Sequence, residues 1–214
     1  MRICQEAFTP LGWFVPAPED GVQGDAKFVI LIGNAGPDMF RRFARERDPS
    51  TDLMDEWTRD VVDALAKVLD ARAAYPFDRP HLPFLTWARR GGGGHVSPLG
   101  LNIHPVYGLW HAYRAALLFP VVIDLPRRAA GVHPCESCEG RPCLGACPVR
   151  AFDGNTLDVA ACGQHVLLDR AQSCEPGGCK ARLACPVGKA FTYSPVQMAF
   201  HMRAFVKERA KELG

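Results

Sequence analysis

Eight of the nine cysteines in this 214-residue chain fall between Cys135 and Cys185, a stretch of 51 residues. They are Cys135, Cys138, Cys143, Cys147, Cys162, Cys174, Cys179 and Cys185, while Cys4 stands alone. A turn-rich segment with that many thiols is held together by cross-links or by metal. The opening residues, MRICQEAFTPLGWF, show no uninterrupted apolar stretch and no small-residue cleavage site, so no secretory leader is expected. The expected location is the cytoplasm, where thiols stay reduced and metal binding becomes the default.

The spacing narrows the metal. The first group reads Cys135-x-x-Cys138-x-x-x-x-Cys143-x-x-x-Cys147-Pro148. Bacterial ferredoxins use Cys-x-x-Cys-x-x-Cys-x-x-x-Cys-Pro, whose fourth cysteine ligates the other cluster of a pair. The central gap, Glu139-Gly140-Arg141-Pro142, is two residues longer here, and the ends of the motif are intact. A second Cys-Pro, in Cys185-Pro186-Val187-Gly188-Lys189-Ala190-Phe191, repeats Cys147-Pro148-Val149-Arg150-Ala151-Phe152. Each is read as a turn that starts a helix, and together they suggest two related halves. Under the crossing rule, Cys135, Cys138 and Cys143 share one 4Fe–4S cluster with Cys185, and Cys147 joins Cys162, Cys174 and Cys179 on a second. Other readings stay open: zinc, although only Cys135–Cys138 has the hook spacing; disulfides formed in air; and one cluster with four idle cysteines.

The whole chain is 48% hydrophobic and 22% charged with net charge +2. That composition excludes disorder and is too weakly biased to argue for nucleic acid or an anionic membrane surface as partner. The longest apolar stretches, Phe28–Ile32 and Ala115–Ile123, fall short of the roughly 20 residues a membrane span needs.

The expected blocks are residues 1–129, 130–193 and 194–214. Lys27–Ile32 reads as a buried strand closed by Gly33-Asn34, and Gly33–Gly36 as a strand-to-helix turn without the full dinucleotide fingerprint. Leu53, Trp57, Val61, Leu65 and Val68 recur at helical steps behind Pro49-Ser50-Thr51, with Asp52 and Asp55 in the first turn. Residues 74–100, with Pro76, Pro80, Pro83 and Gly91–Gly94, read as an extended surface loop. Trp110–Leu118 reads as helix or strand, with a strand from Val121 and a linker over Arg127–Val132. The tail Val196–Leu213 reads as an amphipathic helix with Met198, Met202, Phe205 and Val206 on one side.

A third signal lies at Ser97–Arg114, where His104, Tyr107, Trp110, His111 and Arg114 cluster around Gly108. Aromatic faces with an arginine suit a large planar cofactor or an anion. Core packing by Tyr107 and Trp110, with a structural ion pair for Arg114, is the plainer alternative.

The stretch His104-Pro105-Val106-Tyr107-Gly108-Leu109-Trp110-His111-Ala112-Tyr113-Arg114, followed by Leu117, Leu118 and Pro120, resembles the signature of the CblC-type cobalamin-processing proteins. Those have a modified nitroreductase-like fold. The C-terminal half resembles the twin 4Fe–4S module of epoxyqueuosine reductases and reductive dehalogenases. In that module a cysteine between the two Cys-Pro groups ligates the second cluster, which matches Cys162 in Asp158-Val159-Ala160-Ala161-Cys162.

The resemblance implies an α+β protein: a small nitroreductase-like α/β domain, a ferredoxin-like iron–sulfur module and a C-terminal helix. It implies an electron-transfer protein with two 4Fe–4S clusters that feeds a corrinoid or flavin at the N-terminal domain. His104, Tyr107, Trp110 and Arg114 would bind that cofactor, with Arg114 on a thiol cofactor or other anion. The expected partners are a redox protein or a small-molecule electron donor, with no nucleic acid and no membrane. A homodimer that completes the N-terminal site is a further option. The alternatives are a corrinoid- or flavin-dependent reductase and a structural zinc module.

Overall fold

The structure, a computed structural model, describes residues 2–51, 53–126, 132–168 and 174–213. In chain order its elements are α1 (Arg2–Gln5), β1 (Thr9–Phe14), β2 (Phe28–Ala35), α2 (Asp38–Glu46), α3 (Met54–Val68), β3 (Arg72–Ala74) and α4 (Phe84–Arg90). They continue with β4 (His95–Val96), β5 (Asn102–Ile103), β6 (His111–Phe119), α5 (Pro142–Gly145), α6 (Val159–Leu168), α7 (Lys180–Leu183) and α8 (Pro195–Leu213).

Contacts divide the chain into two compact units, Met1–Gly94 with His111–Val132, and His95–Trp110 with His133–Gly214. The expected blocks 1–129, 130–193 and 194–214 follow the sequence, whereas this division takes residues 95–110 out of the first stretch and groups them with the cysteines.

In the first unit an antiparallel sheet runs in the order β1-β2-β6-β3. β2 is central because seven of its eight residues, Phe28–Asn34, are buried, as an apolar run flanked by strands and covered on both faces must be. Along the pleat, Val29 and Leu31 join Phe14, Trp87, Ala116 and Leu118 in one core cluster. Helices α2 and α3 pack on β2 and β6 respectively, and Phe43 and Phe8 close on the Trp57 ring at 5.5 Å and 5.9 Å. The helix expected from the Leu53–Val68 periodicity is α3, and the strand-to-helix turn falls at Gly36-Pro37, because β2 continues through Gly33 to Ala35.

Two expectations differ in this unit. The glycine run is not a surface loop: Gly91, Gly93 and Gly94 are buried. A Cβ on Gly93 would overlap the carbonyl oxygen of Leu11, and one on Gly91 would stand 2.9 Å from the Trp13 nitrogen. The run lies backbone against backbone along β1, which only glycine permits. The strand expected from Val121 is also not formed. β6 ends at Phe119, Pro120 has no N–H to continue a ladder, and Val121 and Val122 are exposed. Most of the expected Arg127–Val132 linker lies outside the described residues.

The second unit is built from turns and short helices. β4 pairs with β5, and α5 packs on α7. Each Cys-Pro turn follows one of these short helices, α5 before Cys147-Pro148 and α7 before Cys185-Pro186. No helix begins at Pro148. Val149 lies in a turn, and Arg150 takes a left-handed φ of 49° that ends any helical path. The second Cys-Pro turn leads only to a short 3-10 turn at Lys189–Phe191.

Gly108 and Gly188 cross at close range. A Cβ on Gly108 would overlap the carbonyl oxygen of Val187, and one on Gly188 would overlap the Tyr107 carbonyl. Both residues have positive φ, 57° and 70°. The 104–108 turn thus seats the second Cys-Pro turn. α8 closes the unit, with Gln197 and Phe200 buried. No described helix is long and apolar enough to cross a membrane.

Candidate functional site

The eight cysteines of the second unit sort into two neighbourhoods. Burial pushes the Cys135 thiol up to about 11, and the nearby thiols of Cys185, Cys143 and Cys138 push the same way. Burial raises Cys143, helped by Cys185 and Cys138, and burial raises Cys185, helped by Cys138. Burial likewise takes Cys162 to about 11, with Cys179, Cys147 and Cys174 as its thiol neighbours. Cys179 is raised by burial, then by Cys174 and Cys147. The neighbours that act on Cys135, Cys143 and Cys185 thus come from one set of four, and those on Cys162 and Cys179 from the other.

The sets cross the sequence. Cys185 stands with three cysteines from the first motif, and Cys147 leaves that motif to stand with the later ones. The geometry follows from the short helices: Cys143 lies in α5 and Cys147 beyond its end, while Cys179 caps α7 and Cys185 lies beyond its end. Packing α5 on α7 brings each helix's outgoing cysteine toward the other's set.

Several thiols already receive backbone hydrogen bonds. The Ala151 N–H donates to the Cys147 Sγ at 3.3 Å. Backbone N–H groups of Val187, and of Arg182 and Ala181, lower Cys185 and Cys179 respectively, against the larger effect of burial. Such donors stabilise thiolates and tune any metal they hold. Around them lies an apolar shell in which Leu99, Ile103 and Leu109 pack against Cys143, Cys185 and Ala181.

The second set borders a cavity of about 310 Å³. All four thiols, Cys147, Cys162, Cys174 and Cys179, line it, and Met198, Met202 and Phe205 of α8 close one side. Among the described residues no three His, Cys, Asp or Glu side chains converge tightly enough to hold a single metal ion. A tetrahedral zinc with 2.3 Å bonds draws its sulfurs to about 3.8 Å from one another.

The four residues expected to bind a planar cofactor do not fall in one unit. His104, Tyr107 and Trp110 belong to the second unit and Arg114, on β6, to the first. His104 is buried, its Nδ1 accepts from the Val106 and Tyr107 N–H groups at 3.0 Å and 3.2 Å, and its ring lies 4.5 Å from that of Tyr107. Tyr107 meets Phe191 edge-on at 4.8 Å. Trp110 is 1% exposed, and Arg182 lies over its ring at 4.8 Å and over Tyr193 at 4.6 Å. Arg114 forms an ion pair with Asp55 at 3.4 Å.

Nothing in the sequence pattern singled out Arg182, whose guanidinium also donates to the Leu109 carbonyl at 3.0 Å. Nor did it show that Leu99, Ile103 and Leu109 would form the shell of the cysteine region.

This is a mixed α/β fold with an antiparallel sheet, of the kind found in epoxyqueuosine reductase and in CblC. Among solved structures the chain is similar to epoxyqueuosine reductase from Streptococcus thermophilus, at 15% identity and TM-score 0.53, over 90% of this chain and 66% of that one. It is also similar to a C. elegans B12-trafficking protein, CblC, at 15% identity and TM-score 0.50, over 97% of this chain and 89% of that one. The chain therefore spans just under two thirds of the length of that epoxyqueuosine reductase. No protein-family model and no curated protein matches the sequence. The expectation of no nucleic-acid partner is corrected here: one similar structure is of epoxyqueuosine reductase with a tRNA-Tyr stem loop, at 20% identity and TM-score 0.47.

Proposed function

We propose that the second unit is a ferredoxin-like electron-transfer module holding two 4Fe–4S clusters. Cys135, Cys138, Cys143 and Cys185 would hold one, and Cys147, Cys162, Cys174 and Cys179 the other. The observation that carries this is the crossed grouping of the eight thiols, which is the connectivity of paired clusters rather than of two independent zinc hooks. When bound, the clusters supply one-electron transfer at low potential. The chain's own part is to hold the thiolates, direct backbone N–H groups at Cys147, Cys179 and Cys185, and surround them with apolar side chains that keep water away.

Anaerobic purification with iron, sulfide and zinc analysis tests the proposal. About eight irons and eight sulfides per chain, with an absorbance that dithionite bleaches, is the expected result. Zinc without sulfide refutes it.

The fold shared with a B12-trafficking protein over nearly the whole chain favours a second step, in which the electrons reach a corrinoid bound by this protein. That makes the protein a corrinoid-dependent reductase. The contacts of His104, Trp110 and Arg114 are made within the protein, so these residues do not mark the corrinoid face by themselves. A change in the spectrum of cob(II)alamin on adding stoichiometric protein tests the step, and an unchanged spectrum removes it.

A further inference from the structure

We propose that the indole N–H of Trp110 donates a hydrogen bond to a sulfur of the cluster held by Cys147, Cys162, Cys174 and Cys179, and that this bond raises that cluster's potential. The inference rests on the cluster reading above and assigns a residue to it.

The four tryptophans of the chain divide three to one. Trp13 Nε1 donates to the Pro126 carbonyl at 3.0 Å, Trp57 Nε1 to Glu46 Oε2 at 2.7 Å, and Trp87 Nε1 to the Asp20 carbonyl at 2.7 Å. Trp110 Nε1 is buried and has no hydrogen-bond partner among the described residues. A buried indole N–H normally finds an acceptor, because water is excluded and an unmade bond is costly.

The position of Trp110 is fixed. Its backbone N–H bonds to the Tyr107 carbonyl at 2.9 Å, Tyr193 meets its ring at 5.4 Å, and Arg182 covers its face. The indole is therefore held with its one polar atom unused.

Trp110 lines the same cavity as the four thiols. Among the described residues, no side chain lining that cavity carries a carboxylate, amide or hydroxyl oxygen. Its side-chain acceptors are cysteine and methionine sulfur and the rings of His165 and His201. Among the described residues His165 Nε2 is itself buried without a partner, so it does not take the Trp110 proton. A thiolate or sulfide placed among Cys147, Cys162, Cys174 and Cys179 supplies the missing acceptor. Such a bond favours the reduced cluster, which carries the extra negative charge, and so raises its potential.

The test uses the iron-loaded full chain and Trp110→Phe, which keeps an aromatic ring under Arg182. Iron and sulfide analysis of the wild type comes first, and absence of both refutes the underlying cluster reading. With clusters present, the variant keeps its iron, the potential of one cluster falls and the other stays. In wild-type protein with ¹⁵N-labelled indole, pulsed electron paramagnetic resonance shows nitrogen and exchangeable-proton couplings to one reduced cluster, and the variant lacks them. Full iron content with both potentials unchanged overturns the assignment. If the variant loses iron, the labelled wild type decides, and absence of the nitrogen coupling overturns the assignment there.

Discussion

Replacing Gly108 by alanine tests whether the close crossing of two backbones holds the second Cys-Pro turn in place. Gly108 and Gly100 belong to the same unit and both have left-handed φ, 57° and 70°. Alanine at either position bears a strain of about 1–2 kcal/mol. A Cβ on Gly100 meets nothing within 4 Å, so the cost there ends with the strain. A Cβ on Gly108 overlaps the Val187 carbonyl oxygen, which is backbone and moves only if Cys185-Pro186 moves with it. Overpacking of this kind adds about 1–3 kcal/mol. The Gly108→Ala chain should therefore melt roughly 2–12 °C below Gly100→Ala. Thermal unfolding of both variants, followed by circular dichroism and by loss of visible absorbance in iron-loaded protein, reads the difference. Equal melting temperatures would refute the argument, because they would mean that the crossing relaxes freely.

Other expectations follow from single residues. Cys179→Ser should lose about half the iron while the fold is retained; unchanged iron would remove Cys179 from the ligands. Leu31→Ala, fully buried on the central strand, should destabilise by about 2–5 kcal/mol in urea unfolding. A cost below about 1 kcal/mol would mean that the sheet core is looser than its burial indicates. Tyr75 has its ionisation pushed far above the ordinary value by burial and by its 2.6 Å hydrogen bond to Asp63. The folded protein keeps that proton while the unfolded chain releases it above about pH 10, so stability falls as pH rises past that point. Tyr75→Phe should flatten the loss between pH 9 and pH 11, and equal slopes in both chains would contradict the sign.

Local pattern was enough to read β2, α3 and α8. An apolar run, a 3.6-residue period and a one-sided stripe are each set by neighbours along the chain, so the elements follow from them. The buried faces do not: α3 buries Met54 and Val62 and leaves Val68 exposed, and α8 buries Gln197 and Phe200 while Met198, Met202, Phe205 and Val206 are only half-buried. Residues 74–100 misled for the same reason. Proline and glycine mark a turn when read alone, yet Gly91 and Gly93 stand where one backbone lies against another, that of Leu11–Trp13 in β1. Pro120 shows the opposite case: the strand ends where the missing N–H says it must, and the valines beyond it stay exposed.

In the cysteine region, thiol chemistry pointed to metal, and the ferredoxin crossing rule applied to the spacing gave a crossed pairing; the proposed function rests on thiols of the fold falling into two neighbourhoods. A short loop limits which cysteines can reach one another, so spacing carries that information. Spacing carries nothing about what surrounds them. The apolar shell from residues 99–109, Arg182 between two aromatic rings, and the Trp110 indole without an acceptor among the described residues depend on segments that meet only when the chain is folded. The sequence determined which thiols the chain offers to the proposed clusters. The tertiary structure decided which groups stand close enough to tune it, because hydrogen bonds and burial act over a few ångströms and sequence distance does not measure them.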